Sequence, residues 1–433
     1  MVMTDTAVAP NPLPPAPEPT SVFDLDDLRR SVTGPAKLLL ALLSNQRLFA
    51  LVRKFWPIPT LPFTKMVMVT RYDDVKEVLA NDAVFPVPWG DKVKALNGGP
   101  NFILGMQDGA DYRRYQQQVM RSFTRDDVTG IVAPLAARFA NEIIDRSGGR
   151  LDAIQDFITR VPILICKHYY GVTIAPEEEV DFGHWTLAMS AFMFGDPTNS
   201  PLLRRVGLAA GDRLRPLVDR AIAGAKARPM PDTVLGRMIE LQRRGEGGFT
   251  DEVIRTIIIG MIAGFVPTNT LAAGNILEML FERPDFMAQA RAAVIVGDDD
   301  LLKRCLFEAM RFRPLNPGPF RICIKNHTVA AGTPRAKQVR AGTPILAGTF
   351  SAMFDDRQIE NPFTFNPNRP ATDYLMFGSG LHWCIGYFIA VAQITQTLKP
   401  LLAKNGLRRA DGKDGQLQLL GPFPEHLIVE FDP

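Results

Sequence analysis

The sequence predicts a mainly α fold with a small β portion, formed as a single large domain. Three observations carry that expectation. From Asp111 to about Ala225 apolar residues recur at helical spacing, interrupted by turn clusters at 147–149 and 195–201. Residues 250–281 make one long segment that is apolar on nearly every side, as a buried helix is. Beyond Pro314 proline and glycine rise, and short β-like pieces at 320–324 and 343–347 alternate with turns.

The elements follow in order. Residues 1–20 are rich in Pro and Ala, carry acids and lack a basic-then-apolar order, so they read as a disordered lead-in to a domain spanning 21–433. Segment 36–56 has its longest unbroken apolar run at 38–43, far short of the ~20 residues that span a bilayer. Lys37, Arg47, Arg53 and Lys54 stand among its leucines and aromatics. It reads as an amphipathic helix, in the plainer case facing the core and in the other lying on a membrane surface. After a Pro-rich joint at 56–63, a short strand ends at Thr70 and a helix opens near Asp73 or Asp74, which can cap it. Thr250 is a good N-cap for the long apolar helix, with Asp251 and Glu252 in the first turn. At 1.5 Å per residue that helix is roughly 45–50 Å long, enough to cross a domain.

Composition excludes several classes of function. A chain of 433 residues with 46% hydrophobic and 22% charged residues folds, which rules out a disordered or collagenous protein. Its 49 Lys plus Arg against 46 Asp plus Glu leave a net charge of +3, too little for a protein that lives by neutralising phosphates, so no nucleic acid is expected. Cys166, Cys305, Cys323 and Cys384 form no CxxC pair. They suggest neither a disulfide framework nor a zinc knuckle, and fit a reducing cytoplasm.

The chemistry concentrates at 377–386, FGSGLHWCIG, where one cysteine stands in a glycine-rich turn directly ahead of an apolar helix. A thiolate there meets orphan N–H groups and the positive end of the helix dipole, which lower a thiol's pKa and suit an iron ligand. Gly378, Gly380 and Gly386 let the backbone adopt positive φ and approach a flat cofactor, while Phe377 covers the sulfur. A lone Cys is usually just a small buried hydrophobe. The pattern F-G-x-G-x-H-x-C-x-G as a whole, however, is expected by composition about once in a million such chains.

With that pattern the chain resembles the cytochrome P450 family. The resemblance makes Cys384 the proximal ligand of heme b (iron protoporphyrin IX) and places His382 at a heme propionate. It is supported by Glu308-Ala-Met-Arg311, by Arg321 ten residues later, where the family turns an arginine to a propionate, and by FNPNRP at 365–370. Arg369 of that segment would join Glu308 and Arg311 in a structural triad that fixes the proximal loop. Segment 108–124 resembles the helix that supplies further propionate contacts, but Tyr112 replaces the usual histidine and Gln116 the usual arginine. The resemblance runs from about Met66 to Glu430.

The central helix departs from the family. Where most members carry an acid followed by an alcohol that deliver protons during dioxygen activation, this chain reads Ala263-Gly264-Phe265-Val266-Pro267-Thr268. Neither Val266 nor Pro267 relays a proton. Pro267 also lacks an N–H and frees the carbonyl of Ala263, so a kink is expected there.

Several readings stay open. Monooxygenation of a lipophilic small molecule with dioxygen is one, with Thr268 or water on the Ala263 carbonyl replacing the lost pair, and with a separate ferredoxin and reductase as electron donors. Peroxide-driven oxygenation and rearrangement of a substrate hydroperoxide are others. The family's fatty-acid peroxygenases also carry proline before threonine, but with an arginine where Val266 stands. A non-catalytic heme sensor or scaffold is the reading of another class. The substrate pocket is expected to be lined by Phe265, Val266 and the loop residues Asn316, Pro317, Gly318 and Phe320, an apolar surface.

Overall fold

The computed structural model describes residues 23–31, 45–61, 65–196 and 199–433. The lead-in at 1–20 and the 36–44 part of segment 36–56 lie outside them. Among the described residues helices dominate. Those used below are α1 (Gln46–Phe55), α2 (Tyr72–Ala80), α3 (Ala110–Ser122), α4 (Val234–Arg243), α5 (Asp251–Glu282), α6 (Asp299–Phe312) and α7 (Tyr387–Ala403). A three-stranded sheet joins β1 (Val67–Val69), β3 (Pro344–Ala347) and β2 (Phe320–Ile322) in the order β1-β3-β2. β1 runs parallel to β3, with Val67 opposite Ile345, and β2 runs antiparallel, with Arg321 opposite Ile345.

The central helix α5 has 32 residues, roughly 48 Å. Thr250 caps it by accepting the Val253 N–H at 3.2 Å. Ile254, Ile257, Ile258, Ile262, Ile276 and Leu277 have no exposed surface, so its all-round apolarity is that of a core rod. Among the described residues it alone is long and apolar enough to cross a membrane, yet 83% of its most apolar window is buried inside the fold. The helix runs unbroken through Pro267.

One expectation is corrected here. Helix α2 begins at Tyr72, with Arg71 as a cap residue that offers no side-chain bond. Asp74 is drawn instead to Arg335 at 2.8 Å, and the Tyr72 N–H is accepted by Asp355 Oδ2 at 3.1 Å, a cap supplied from 283 residues away. Helix α1 faces the core on one side only. Phe49 and Arg53 are buried, whereas Leu48, Leu51, Phe55 and Trp56 point outward.

Candidate active site

The turn before α7 is shaped around Cys384. Gly378 (φ 78°) and Gly380 (φ 73°) occupy the left-handed region, where a side chain is strained. A Cβ on Gly380 would also meet the Leu79 carbonyl of α2 at 2.7 Å. The Cys384 N–H donates to the Phe377 carbonyl at 3.0 Å, closing the loop that carries the thiol. Phe377 itself packs edge-on to Tyr387, centroids 4.8 Å apart, and against Phe307 at 5.8 Å. Burial pushes the Cys384 thiol above its ordinary value, while the backbone at Gly386 pulls it down. The sequence argument for a lowered pKa therefore omitted the larger effect, because removing an anion from water costs more here than one amide returns. A thiolate at this position calls for a bound cation.

Buried ions hold the region together. Glu308 and Arg311, both without exposed side-chain surface, form a bidentate pair at 2.7 and 2.9 Å. Arg369 reaches Glu308 at 3.0 Å and donates to the carbonyls of Glu360, Asn361 and Thr364. The sequence did not disclose Tyr374, whose hydroxyl donates to Glu308 Oε2 at 2.9 Å. With the Asn366 N–H at 3.1 Å, Glu308 has four partners. That satisfaction is what makes a buried carboxylate tolerable.

A second polar cluster is left unsatisfied. Arg321 is buried on β2 and keeps its Nε without a partner; the same is true of His382 Nε2 and Asp82 Oδ1. His382 stands 3.6 Å from Asp82, too far for a hydrogen bond. Burial and the nearby Arg321 hold His382 down to about 4, so it is neutral and forms no ion pair with that carboxylate. Burial brings Arg321 to about 10 against the opposing field of Asp82, and burial raises Asp82. A buried guanidinium with a free donor is the place where an anionic ligand group is welcome. Tyr112 is not free to do the same work: its hydroxyl donates to the Leu381 carbonyl at 2.8 Å and its ring stands edge-on to His382. Gln116 is half-buried one turn further along α3.

On α5, Gly264 and Thr268 retain accessible surface while Ala263, Phe265, Val266 and Pro267 are buried. A Cβ at Gly264 would find only Leu104 Cδ1, at 3.9 Å, so one helical face is open at this turn. The Thr268 hydroxyl donates to the Gly264 carbonyl, with the Phe265 carbonyl at 3.4 Å. Val266 has no exposed surface, and Phe265 lies 5.5 Å from the ring of Tyr170, a wholly buried residue whose hydroxyl has no partner. A small cavity of about 10 Å³ beside α5 is lined by Ala263, Gly260, Ile259, Phe102, Leu104 and Met193. Of the loop expected to line a pocket, Asn316 is exposed and Pro317 and Phe320 are half-buried. Gly318 is packed so closely that a Cβ would meet the Ala347 carbonyl at 1.8 Å.

These features fit heme. The half-buried residues Gly264, Thr268, Phe377, Cys384 and Ile385 mark open space between core elements. Among the described residues no three His, Cys, Asp or Glu converge, and a single thiol suits a metal whose other ligands come with it. The unpartnered Nε of Arg321 and Nε2 of His382 are polar atoms such a cofactor's anionic edge would meet. Fold and site together define a heme-thiolate oxidoreductase.

Comparison with known proteins agrees. The family model described as Cytochrome P450 matches residues 214–414. The chain is similar to the cyclomarin C epoxidase CymV of Salinispora arenicola, 28% identical over 367 residues, covering 82% of this chain and 87% of that one. It is also similar to the erythromycin C-12 hydroxylase of Saccharopolyspora erythraea, 26% identical over 357 residues and covering 81% and 84%. In fold it resembles the Tepidiphilus thermophilus P450 heme domain, with TM-score 0.75 at 18% identity over 90% of this chain and 95% of the other. Cytochrome P450 TbtJ1 matches with TM-score 0.72 at 21% identity over 92% and 99%. The family model, the relatives and the solved structures all support a member of the cytochrome P450 family, whose cofactor is heme b and whose members are monooxygenases.

Proposed function

We propose that this P450 oxygenates a lipophilic small molecule without the acid–alcohol proton relay, and that peroxide supports its turnover at least as well as electron-transfer partners do. The observation that carries the reading is the Thr268 hydroxyl held on the Gly264 carbonyl beside a wholly buried Val266. Thiolate-ligated heme supplies oxygen activation and transfer. The protein's own part is narrower. Cys384 donates the thiolate, Arg321 and His382 receive the anionic edge of the cofactor, and the triad on Glu308 fixes the loop between them.

Proton supply is where this chain is poor. Between Glu252 and Glu278 the central helix carries no acid, and Glu278 is paired with Arg409 at 2.9 Å. Thr268 offers lone pairs to a water, and so does the Ala263 carbonyl that Pro267 leaves unbonded. Neither is an acid near neutral pH. Hydrogen peroxide brings its own protons and electrons, which is why it bypasses this lack. The cavity beside α5 has room for about one water, and its lining is apolar apart from Asn97, which supports an apolar ligand on this side of the helix. The relatives' names, an epoxidase and a hydroxylase, support the reaction class.

Electron delivery by a separate ferredoxin is supported by the surface next to Cys384. Trp383 and Phe388 are exposed there, Arg125 lies 4.2 Å over the Phe388 ring, and Met120 and Arg121 are exposed on the neighbouring α3. The experiment is turnover of one ligand that shifts the Soret band, with NAD(P)H and surrogate ferredoxin partners in one arm and hydrogen peroxide in the other. Peroxide turnover clearly below a well-coupled partner-driven rate removes the proposal, because a working acid relay is worth about a hundredfold or more to the partner-driven route.

A further inference from the structure

Helix α1 leaves an apolar face outward. Leu48, Leu51 and Phe55 fall at i, i+3 and i+7, one stripe of a helix, and are 37%, 56% and 59% exposed; Trp56, just past the end, is 69% exposed. The opposite side is tied down. Phe49 packs edge-on to Phe350 at 6.0 Å, and Arg53 donates to the carbonyls of Ser351 and Phe354 at 2.8 and 2.6 Å. Asn45 caps the first turn by accepting from Arg47 and Leu48 N–H groups. The helix is therefore fixed to the body while presenting large hydrophobes to solvent, and these form one contiguous stripe rather than scattered single residues.

Charge says what covers it. From residue 45 to residue 72 the sequence holds five Lys or Arg and no Asp or Glu, in a chain whose net charge is only +3. Arg47 and Lys54 are exposed beside the stripe, and the Lys54 ammonium lies 5.4 Å from the Phe55 ring centroid. Of the two acids that act on Arg53, Asp355 is buried and paired with Arg357 at 2.5 Å, and Asp356, although exposed, lies 3.6 Å from the same Arg357. We propose that this face docks on the surface of an anionic lipid bilayer, with Leu48, Leu51 and Phe55 in the acyl boundary, Trp56 at headgroup level, and Arg47 and Lys54 on lipid phosphates. A second copy of the chain is a poorer occupant, because a two-fold contact would set like cations against each other. The stripe is short, so the attachment is reversible and peripheral. It orients the protein toward lipid-dissolved substrates, and it stands independently of the proton-delivery reading.

The test uses the full-length, heme-loaded protein and sucrose-loaded vesicles of phosphatidylcholine alone or mixed equally with phosphatidylglycerol. At least about tenfold more protein sediments with the anionic vesicles, and the excess is lost at about 0.5 M salt. Leu51→Glu with Phe55→Glu abolishes it. Arg47→Glu with Lys54→Glu, a purely surface change, lowers it at least about threefold. Both variants keep the wild-type reduced carbon monoxide spectrum, which separates lost docking from lost folding. The proposal is overturned if the wild type binds neither vesicle, if both variants sediment like the wild type, or if Leu51→Glu with Phe55→Glu instead dissolves a concentration-dependent dimer.

Discussion

The Thr268 hydroxyl donates to the carbonyl of Gly264, one turn earlier on the same face of the central helix. This face is the open one, and the bond commits the threonine proton to the backbone while leaving its lone pairs toward the space beside Gly264. The alcohol that the motif lacks at position 267 is thus present one residue later, without an acid behind it. The proposed proton-poor chemistry rests on that arrangement.

Replacing Cys384 with Ala removes the thiolate and with it the red-shifted Soret band of the reduced carbon monoxide complex, while far-ultraviolet circular dichroism keeps its helical signal. The Cys384 N–H bond to Phe377 is a backbone contact and survives the change. A variant that keeps the thiolate-type band would assign the ligand elsewhere.

The Glu308 cluster is fully satisfied, so deleting one member leaves buried charge. Glu308→Ala strands both Arg311 and Arg369 and is expected to cost about 3–5 kcal/mol, measured by chemical denaturation. Tyr374→Phe removes one hydrogen bond to a carboxylate that retains other partners; the expected loss is about 1–2 kcal/mol. Equal effects of the two changes would show that the cluster does not act as a charge anchor.

Phe102 packs over Gly260 so closely that a Cβ there would lie 2.3 Å from its ring. Both residues line the small cavity beside α5. Phe102→Ala opens that cavity, so bulkier apolar ligands should then shift the Soret band with affinity raised about tenfold, at a stability cost of about 3–5 kcal/mol. Gly260→Ala works oppositely, pushing Phe102 into the cavity and weakening ligand binding. Unchanged ligand size preference in both variants contradicts the assignment of this cavity to substrate.

Asp127 joins α4 to the segment after α3. Burial acts to raise its pKa, but hydrogen bonds from Arg237 and Tyr169 outweigh burial and hold it below the usual carboxylate range. A carboxyl with a depressed folded value adds stability above its unfolded value near 4 and loses it as pH falls through the folded value. Asp127→Asn should therefore be about 2–3 kcal/mol less stable at pH 7 and at pH 5, with the gap closing below about pH 4. A gap that widens on acidification reverses the sign and the account of this pair.

Much of this was legible in the sequence because the signals were local. The Thr250 cap, the apolar rod behind it and the glycine turn around Cys384 each lie within a few residues, and Glu308–Arg311 is one helical turn. Tyr374, Asp82, Phe102 and Tyr170 were not legible. Their neighbours are brought near by the fold: Tyr374 meets Glu308 across 66 residues, and Asp82, just past α2, comes to 3.6 Å from His382 of the cysteine loop without bonding to it. The start of α2 was misplaced for the same reason, since its cap comes from Asp355. Burial decided the Cys384 pKa direction, and burial is a property of packing that a dipeptide pattern does not reveal.

The most direct test of the central claim is the product formed per NAD(P)H consumed, with one Soret-shifting ligand and a ferredoxin pair. The measurement is run for the wild type, Thr268→Val and Val266→Asp with Pro267→Thr, each beside hydrogen peroxide alone. The account predicts a wild type that sends most electrons to free peroxide, a Thr268→Val variant about tenfold worse in partner-driven product but within about twofold in the peroxide arm, and better coupling when the acid–alcohol pair is restored. A well-coupled wild type with no peroxide-driven turnover, indifferent to Thr268→Val, would contradict it.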